Sequence, residues 1–598
     1  MFCTEYPRPN FLRKEWQNLN GTWDFEFDDF NKGLKEKWYK KGEFSKKINV
    51  PFAYQSEMSG INDKKYHDTV WYRRKFRIDS KWHGKNILLN FEAVDYLTKV
   101  YVNGEFVGEH QGGHVGFSFD ITEYLTWEEE EIVVYVYDPS ESQMIPRGKQ
   151  FWKEDSEGIW YTRTTGIWQT VWLEPVNYQR IDTIYTTPNL DNGFVEFEIE
   201  VKNYFISQEI ELEILFKDEL IAKDRFFLSS NNIKRKIDVF KGDIFKGPYH
   251  HSGYCWTPET PNLYTYKVKL LKDKEELDTV EGYFGMRKIH YDNGKIYLNN
   301  RPYYQKLVLD QGYWPKSLMT APTDEDLKKD ILLSKEMGFN GCRKHQKVES
   351  QRFLYWADKL GYLVWGEMPS CIEYSYEAVR NITNEWFEVV KRDYNHPAIV
   401  AWVPLNESWG VPRIAMNKKE QAHSLALYHT LHSLDGTRLV ISNDGWELTE
   451  TDICAVHNYM HGNKKEVKKY NKFIEDIKTK QNILTSEPAG KRIYAEGFEN
   501  QGEPILLTEF GGIAFDTTQT KGWGYSVASN EEEFVEDYER VLKAVEDSKV
   551  VVGFCYTQLC DVEQEINGLL TYDRKPKCDL KLIKNINDKV DLMNYVEE

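Results

Sequence analysis

From residue 288 onward, short apolar runs alternate with amphipathic stretches, and this alternation constrains the fold more than any other feature of the chain. Eight runs have strand length: residues 304–309, 339–345, 362–367, 399–406, 438–443, 452–459, 504–510 and 550–558. Helical stretches such as 324–338 and 531–547 sit between several of them. Buried strands separated by amphipathic helices build parallel sheets. Eight such units in about 300 residues is the count of a (β/α)8 TIM barrel, whereas a doubly wound sheet generally uses fewer strands.

Residues 1–178 read differently. Short β-like runs (69–78, 85–94, 98–110, 131–138) follow one another with few helical stretches, the pattern of a β-sandwich. Val102-Asn103-Gly104-Glu105 predicts a hairpin, because Asn-Gly supplies the positive-φ positions of a type I′ turn. Residues 179–287 predict a second, smaller sandwich: 195–204 and 208–218 alternate apolar and polar with the period of half-buried strands. Prolines just beyond Trp256 stop the run there. The chain thus divides into 1–178, 179–287 and 288–598, fewer domains than the four or so that its length suggests at roughly 150 residues each.

The net charge of −18 argues against nucleic acid or an anionic membrane as a partner, because both attract basic surfaces. No apolar run approaches the roughly 18 residues of a membrane span. The N-terminus has no apolar segment behind its charges, so no secretory leader is visible. The eight cysteines show neither CxxC nor zinc spacing, and several lie in apolar runs, so they read as reduced core thiols. Together these features predict a cytoplasmic protein. Aromatic residues reach 15%. Such rings suit sugars, which present flat apolar faces and polar rims, but large sheet cores account for most of them.

In a barrel, catalytic residues gather where the strands end. The ends read Arg343 and His345 on strand 2, Glu367 on strand 3 and Asn406-Glu407 on strand 4. They continue with Asn443-Asp444 on strand 5, His457-Asn458-Tyr459 on strand 6, Glu509 on strand 7 and Gln558 on strand 8. Asp310 follows strand 1 and Trp365 lies in strand 3, which makes both candidates for a pocket wall. Burying Asn406 beside Glu407 at the end of an apolar run is costly unless both are partnered. Strands 4 and 7 stand on opposite sides of an eight-strand ring, so Glu407 and Glu509 can face each other across its mouth. Two facing carboxylates are the equipment of glycoside hydrolysis, with one protonated and one ionised by unlike surroundings.

Several motifs resemble glycoside hydrolase family 2, which includes β-galactosidases, β-glucuronidases and β-mannosidases. They are NES (406–408), TEFGG (508–512) and the order sandwich, sandwich, barrel. VNGEFVGEHQGGHVGFSFDIT (102–122) and RTTGIWQTVWLEP (163–175) resemble the family's jelly-roll sugar-binding domain. YFGMRKIHYDNGKIYLNNRPYY (283–304) resembles its lead-in to the barrel. The resemblance implies an immunoglobulin-like middle sandwich and a retaining exo-glycosidase acting on terminal non-reducing β-glycosides. In that reading Glu509 is the nucleophile and Glu407 the acid/base. Asn406 binds the sugar 2-OH, Arg343 sits near the nucleophile and Tyr459 hydrogen-bonds to it. His345, His457, Asp310, Trp365 and Gln558 are further substrate-binding candidates.

The implied partner is a small carbohydrate or oligosaccharide, with homo-oligomers open. Two-carboxylate hydrolysis needs no cofactor, so none is expected. No metal cage is readable: His110 and His114 lie in a glycine-rich strand or turn region, and His250 and His251 in a loop without clustered acids. β-Galactosides are the first expectation. β-Glucuronides and furanosides (α-L-arabinofuranoside, β-D-galactofuranoside) are alternatives, as is a non-catalytic carbohydrate-binding protein on the same scaffold. Three departures from the family pattern bear on the sugar. Strand 2 reads Arg343-Lys344-His345-Gln346-Lys347 in place of a Ser-His-Tyr-Pro-like continuation. Strand 8 has no Trp in Phe554-Cys555-Tyr556-Thr557-Gln558. Asn567-Gly568-Leu569 stands where β-glucuronidases carry Asn-x-Lys. A carboxylate bound without a cation is poorly paired, which ranks a uronic acid below a neutral sugar.

Overall fold

The computed structural model describes residues 3–240, 253–517 and 522–590. His250 and His251 lie outside the described residues. All eight apolar runs form parallel strands: β1 Gln305–Asp310, β2 Gly341–Lys344, β3 Leu363–Glu367, β4 Ile399–Val403, β5 Leu439–Val440, β6 Cys454–His457, β7 Ile505–Gly511 and β8 Val551–Thr557. Their order in the sheet is β5-β4-β3-β2-β1-β8-β7-β6. At the seam, the Asp452 N–H donates to Val440 O (3.0 Å) and the Val440 N–H to Asp452 Oδ2 (2.7 Å). Regular pairing of the run expected through residue 406 breaks after Val403, because Pro404 has no N–H to give a neighbour, and resumes as an isolated parallel bridge between Asn406 and Asp444.

Amphipathic helices pack between the strands. The helix Asp324–Glu336 starts where the Thr323 side chain accepts from the Asp326 N–H, and three acids in its first turn suit the positive end of its dipole. Successive strand residues face opposite ways. On β2, Arg343 enters the barrel, while Lys344 points outward and lies 4.1 Å from the centre of the Phe353 ring on the helix Gln351–Leu360.

The first sandwich pairs a six-stranded with a four-stranded sheet around Trp23, Val70, Leu89 and Val134. Its strands Leu97–Val102 and Glu105–Gln111 are joined at Asn103 and Gly104, whose φ values of +51° and +79° are those the Asn-Gly turn requires. The second sandwich pairs three-stranded and four-stranded sheets around Phe197, Ile210 and Val268. It is tied to the barrel through Arg287, which donates to the carbonyls of Pro397, Thr437 and Ile399. The first sandwich reaches the opposite, functional end. Tyr161 donates to Glu565 (2.6 Å) and the Thr162 N–H to Glu563 (3.0 Å), both in the segment after β8. Among the described residues, no helix is long and apolar enough to cross a membrane.

Candidate active site

The turn after β4 positions Glu407. Glu407 and Ser408 both adopt left-handed backbone, with φ of +53° and +62°, which is costly for side-chain-bearing residues. Residues just beyond β5 hold the turn: the Glu407 N–H donates to Asp444 O (2.8 Å) and the Ser408 N–H to Asn443 Oδ1 (3.0 Å). The Ser408 hydroxyl donates to Glu447 Oε2. Gly410 ends the turn at φ +79°, with Cys371 O only 3.0 Å from where a Cβ would stand. This is why an apolar strand is followed by Asn-Glu-Ser-Trp-Gly: the backbone reverses sharply and turns the Glu407 carboxylate inward.

Arg343 is fully buried and organises the floor of the mouth. Its Nη1 donates to Glu509 Oε1 (3.0 Å) and Thr508 O (2.8 Å), its Nε to Glu367 Oε1 (2.7 Å) and its Nη2 to Asn406 Oδ1 (3.0 Å). Asp444 Oδ2 lies 3.1 Å from the same Nε. His457 lies between the two glutamates, with Nδ1 2.8 Å from Glu407 Oε1 and 3.5 Å from Glu509 Oε2. Its Nε2 is 3.1 Å from Asp444 Oδ1. The Tyr459 hydroxyl donates to Glu509 Oε2 at 2.6 Å. His345 Nδ1 bonds Glu367 at 3.0 Å and lies 3.9 Å from Glu509.

Burial alone would raise the Glu509 pKa, but the charges on His457 and Arg343 and the Tyr459 bond hold it down at about 2. Burial alone would lower His457, yet Glu509, Asp444 and Glu407 together push it up to about 10. His457 is therefore an imidazolium at neutral pH. Arg343 Nη1 also lies 3.2 Å from His457 Nε2, a contact between two cations that the carboxylates of Glu367, Asp444 and Glu509 offset. Tyr459 is raised well above 10 and stays a donating phenol. Glu407, His457 and Glu509 place one ligand-type atom each within 4.8 Å of one another.

Of the expected residues, Arg343, His345, Asn406, Glu407, His457, Tyr459 and Glu509 come together. Two do not. Asp310 faces outward, accepting from Lys344 Nζ (2.8 Å) and the Gly312 N–H (2.9 Å). It is in register with Lys344, while Leu309 is in register with Arg343. Trp365 is fully buried and donates to Gln305 Oε1 at the start of β1, away from the strand ends. Gln558 sits inside a buried polar relay: Gln311 Nε2 donates to Gln558 Oε1 (2.8 Å), Gln558 to Asn567 (2.7 Å) and Asn567 to Glu565 (3.0 Å). Glu367 and Asp444 belong to the site although only their strand-end positions pointed to it. Tyr525, stacked on Tyr459 at 3.6 Å between ring centres, lies in the chain beyond β7 and had no sequence signal.

A (β/α)8 mouth holding two facing carboxylates, one kept ionised by buried cations, is the arrangement of the two-carboxylate glycosidase class. The chain belongs to glycosyl hydrolase family 2, whose TIM barrel model matches residues 289–592. The family's sugar binding domain matches 16–173, and a further family 2 domain matches 179–287. A β-galactosidase of Thermoanaerobacter pseudethanolicus is 30% identical over 414 residues, covering 68% of this chain and 52% of that protein. A putative β-glucuronidase of Formosa agariphila is 26% identical over 572 residues, 89% of this chain and 66% of that protein. The chain therefore spans about half to two thirds of the length of these relatives. Among solved structures, a β-glucuronidase from Ruminococcus gnavus superposes with a TM-score of 0.77 at 18% identity, covering 98% of this chain and all of that one. A Lactobacillus rhamnosus β-glucuronidase gives 0.77 at 20% identity, with 99% of each chain covered. At such identities these likenesses bear on fold alone.

Proposed function

We propose that this chain hydrolyses terminal β-glycosides with retention of configuration. The carrying observation is the close approach of two carboxylates in unlike surroundings. Their oxygens come within 4.8 Å, whereas retaining pairs stand roughly 5–5.5 Å apart and inverting pairs about 6.5–9.5 Å. Ionised Glu509 attacks the anomeric carbon and forms a C–O ester bond. The bond to the leaving oxygen breaks as Glu407 gives that oxygen its proton. Water then adds to the same carbon, Glu407 takes the water's proton, and Glu509 departs as a carboxylate. His457 and Arg343 keep Glu509 ionised between turnovers. Asn406 Oδ1 is already bonded to Arg343, so its NH2 is the half that can donate to a sugar hydroxyl.

A neutral glycone, first of all β-galactoside, fits the segment after β8. Its buried polar groups include Gln558, Asn567 and the Glu565 carboxylate, Leu569 is buried where a glucuronidase would carry its Lys, and the Arg574 guanidinium is committed to Asp330. Lys577 is tied to Asp561 (2.7 Å) and Ile566 O (2.9 Å). β-Glucuronide is the second reading, because a relative matched along 89% of this chain is named a putative β-glucuronidase. A cytoplasmic location is part of the proposal: all eight cysteines are free and seven are buried, as in reducing compartments.

The test is a panel of aryl β-galactopyranoside, β-glucuronide, α-L-arabinofuranoside and β-D-galactofuranoside, with Glu509→Gln as control. The galactopyranoside should turn over fastest, and the first-formed sugar should be the β anomer by NMR. Fastest turnover of the glucuronide would replace the glycone, and hydrolysis of none would overturn the enzyme reading.

A further inference from the structure

A second cleft, of about 570 Å³, adjoins the barrel mouth. Phe151, Trp152, Ile159 and Trp160 of the first sandwich form one wall, and Trp523, from the chain beyond β7, forms the other. Two lines of contact lead from it to the carboxylate pair. On one side Trp160 meets Trp409 edge to face at 4.9 Å, and Trp409 is two residues past Glu407. On the other, Trp523 packs edge-on against Tyr525 at 5.3 Å, Tyr525 stacks flat on Tyr459, and Tyr459 donates to Glu509. The cleft is thus joined to the acid/base on one side and to the nucleophile on the other.

The walls are pinned together. Trp523 Nε1 donates to Gly158 O (2.9 Å), and Gln564 Nε2 donates to Gly158 O and Trp160 O (both 2.8 Å). These bonds occupy the Trp523 indole N–H and the Gln564 amide and leave ring surface along the walls. Lys153 and Glu157, the charged residues lining the cleft, are exposed.

We propose that this cleft is the leaving-group subsite and that it takes planar aromatic aglycones; this rests on the glycosidase reading above. A sugar ring can also lie against an aromatic wall, but its hydroxyls would find Lys153 and Glu157 as the only charged side chains to bond among the described lining residues. A flat aryl group forfeits nothing and stacks on indole and phenyl faces. The subsite belongs jointly to the sandwich and the barrel, so the first domain would take part in choosing the substrate.

The test compares Trp152→Ala, Trp523→Ala and the double variant with the parent on three substrates sharing the glycone that the panel identifies. These are the glycosyl fluoride, the 4-methylumbelliferyl glycoside and the β-1,4-linked disaccharide with glucose. The double variant should lose about tenfold in kcat/KM on the umbelliferyl glycoside and stay within about twofold on the fluoride, whose leaving group is too small to reach the cleft. Trp523→Phe should recover most of the loss. Equal effects on both substrates, or none, overturn the subsite. A loss confined to the disaccharide means that the cleft holds sugar and overturns the aryl assignment. If the double variant does not fold, Trp152→Ser at its half-buried position carries the same comparison. Failure of the parent itself to hydrolyse the fluoride would instead count against the glycosidase reading.

Discussion

Arg343 and Lys344 are neighbours on one strand, yet they anchor two buried ionic clusters of opposite kind. Outward, Lys344 pairs with Asp310 (2.8 Å) and Glu349 (3.1 Å), and Lys347 pairs with Glu349 (2.7 Å) while also donating to the carbonyls of Gly312 and Met319. Two cations meet two anions, and none of the four side chains is more than 4% exposed. Inward, Arg343 and His457 face Glu367, Asp444, Glu407 and Glu509, and Glu407 remains 17% exposed. A cluster that closes its charges holds structure together. One that carries surplus charge and opens at one edge can hold a reactive group ready. The pleat of a single strand separates the two.

The comparison can be broken most directly at the open cluster. Glu509→Gln should lower turnover by on the order of 10⁴-fold or more while the thermal midpoint changes little, since Arg343 keeps Glu367 and Asp444. A stability loss matching the activity loss would mean that the inner cluster is as structural as the outer one. At the closed cluster the expected effect is the converse. Lys344→Met leaves Asp310 and Glu349 buried with too few partners and should cost about 3–5 kcal/mol in urea unfolding, with kcat of the folded fraction nearly unchanged.

The smallest effect lies in the pH dependence of stability, where the clusters should pull in opposite directions. His457 is raised from 6.5 to about 10, so its contribution is complete below pH 6.5 and is lost as pH rises through 10. Burial lowers Lys347 from 10.5 to about 8, so the unfolded chain binds more protons in that window and stability gains as pH rises through it. Urea midpoints between pH 8 and 10 should therefore climb in His457→Asn and fall more steeply than the parent in Lys347→Met. Parallel curves for both variants would remove the distinction.

Much of this architecture was legible because fully buried parallel strands must be apolar along their length and the helices between them amphipathic. The hairpin at Asn103-Gly104 was legible for a local reason, its two positive-φ residues. The strand-end rule brought Arg343, Glu407, His457 and Glu509 together without contact information. It failed to place Asp310 because position at a strand end does not give the side of the sheet; that depends on register with Lys344, which only the paired strand reveals. Trp365 was misplaced for a related reason, since a large side chain can reach down the barrel as well as up. Pro404 shortened β4 by a rule visible in advance. Trp160 and Trp523 lie outside the regular barrel strands and line one cleft, with Trp523 bonding Gly158 across 365 residues of sequence, a proximity that no local pattern encodes.

The relay from Gln311 through Gln558 and Asn567 to Glu565 ends on Tyr161, in the first sandwich. A lineage that lost the sandwich would strand a buried carboxylate at the rim of its own catalytic domain. The first sandwich and the barrel therefore depend on each other at this point, and a barrel alone would leave Glu565 without its Tyr161 bond.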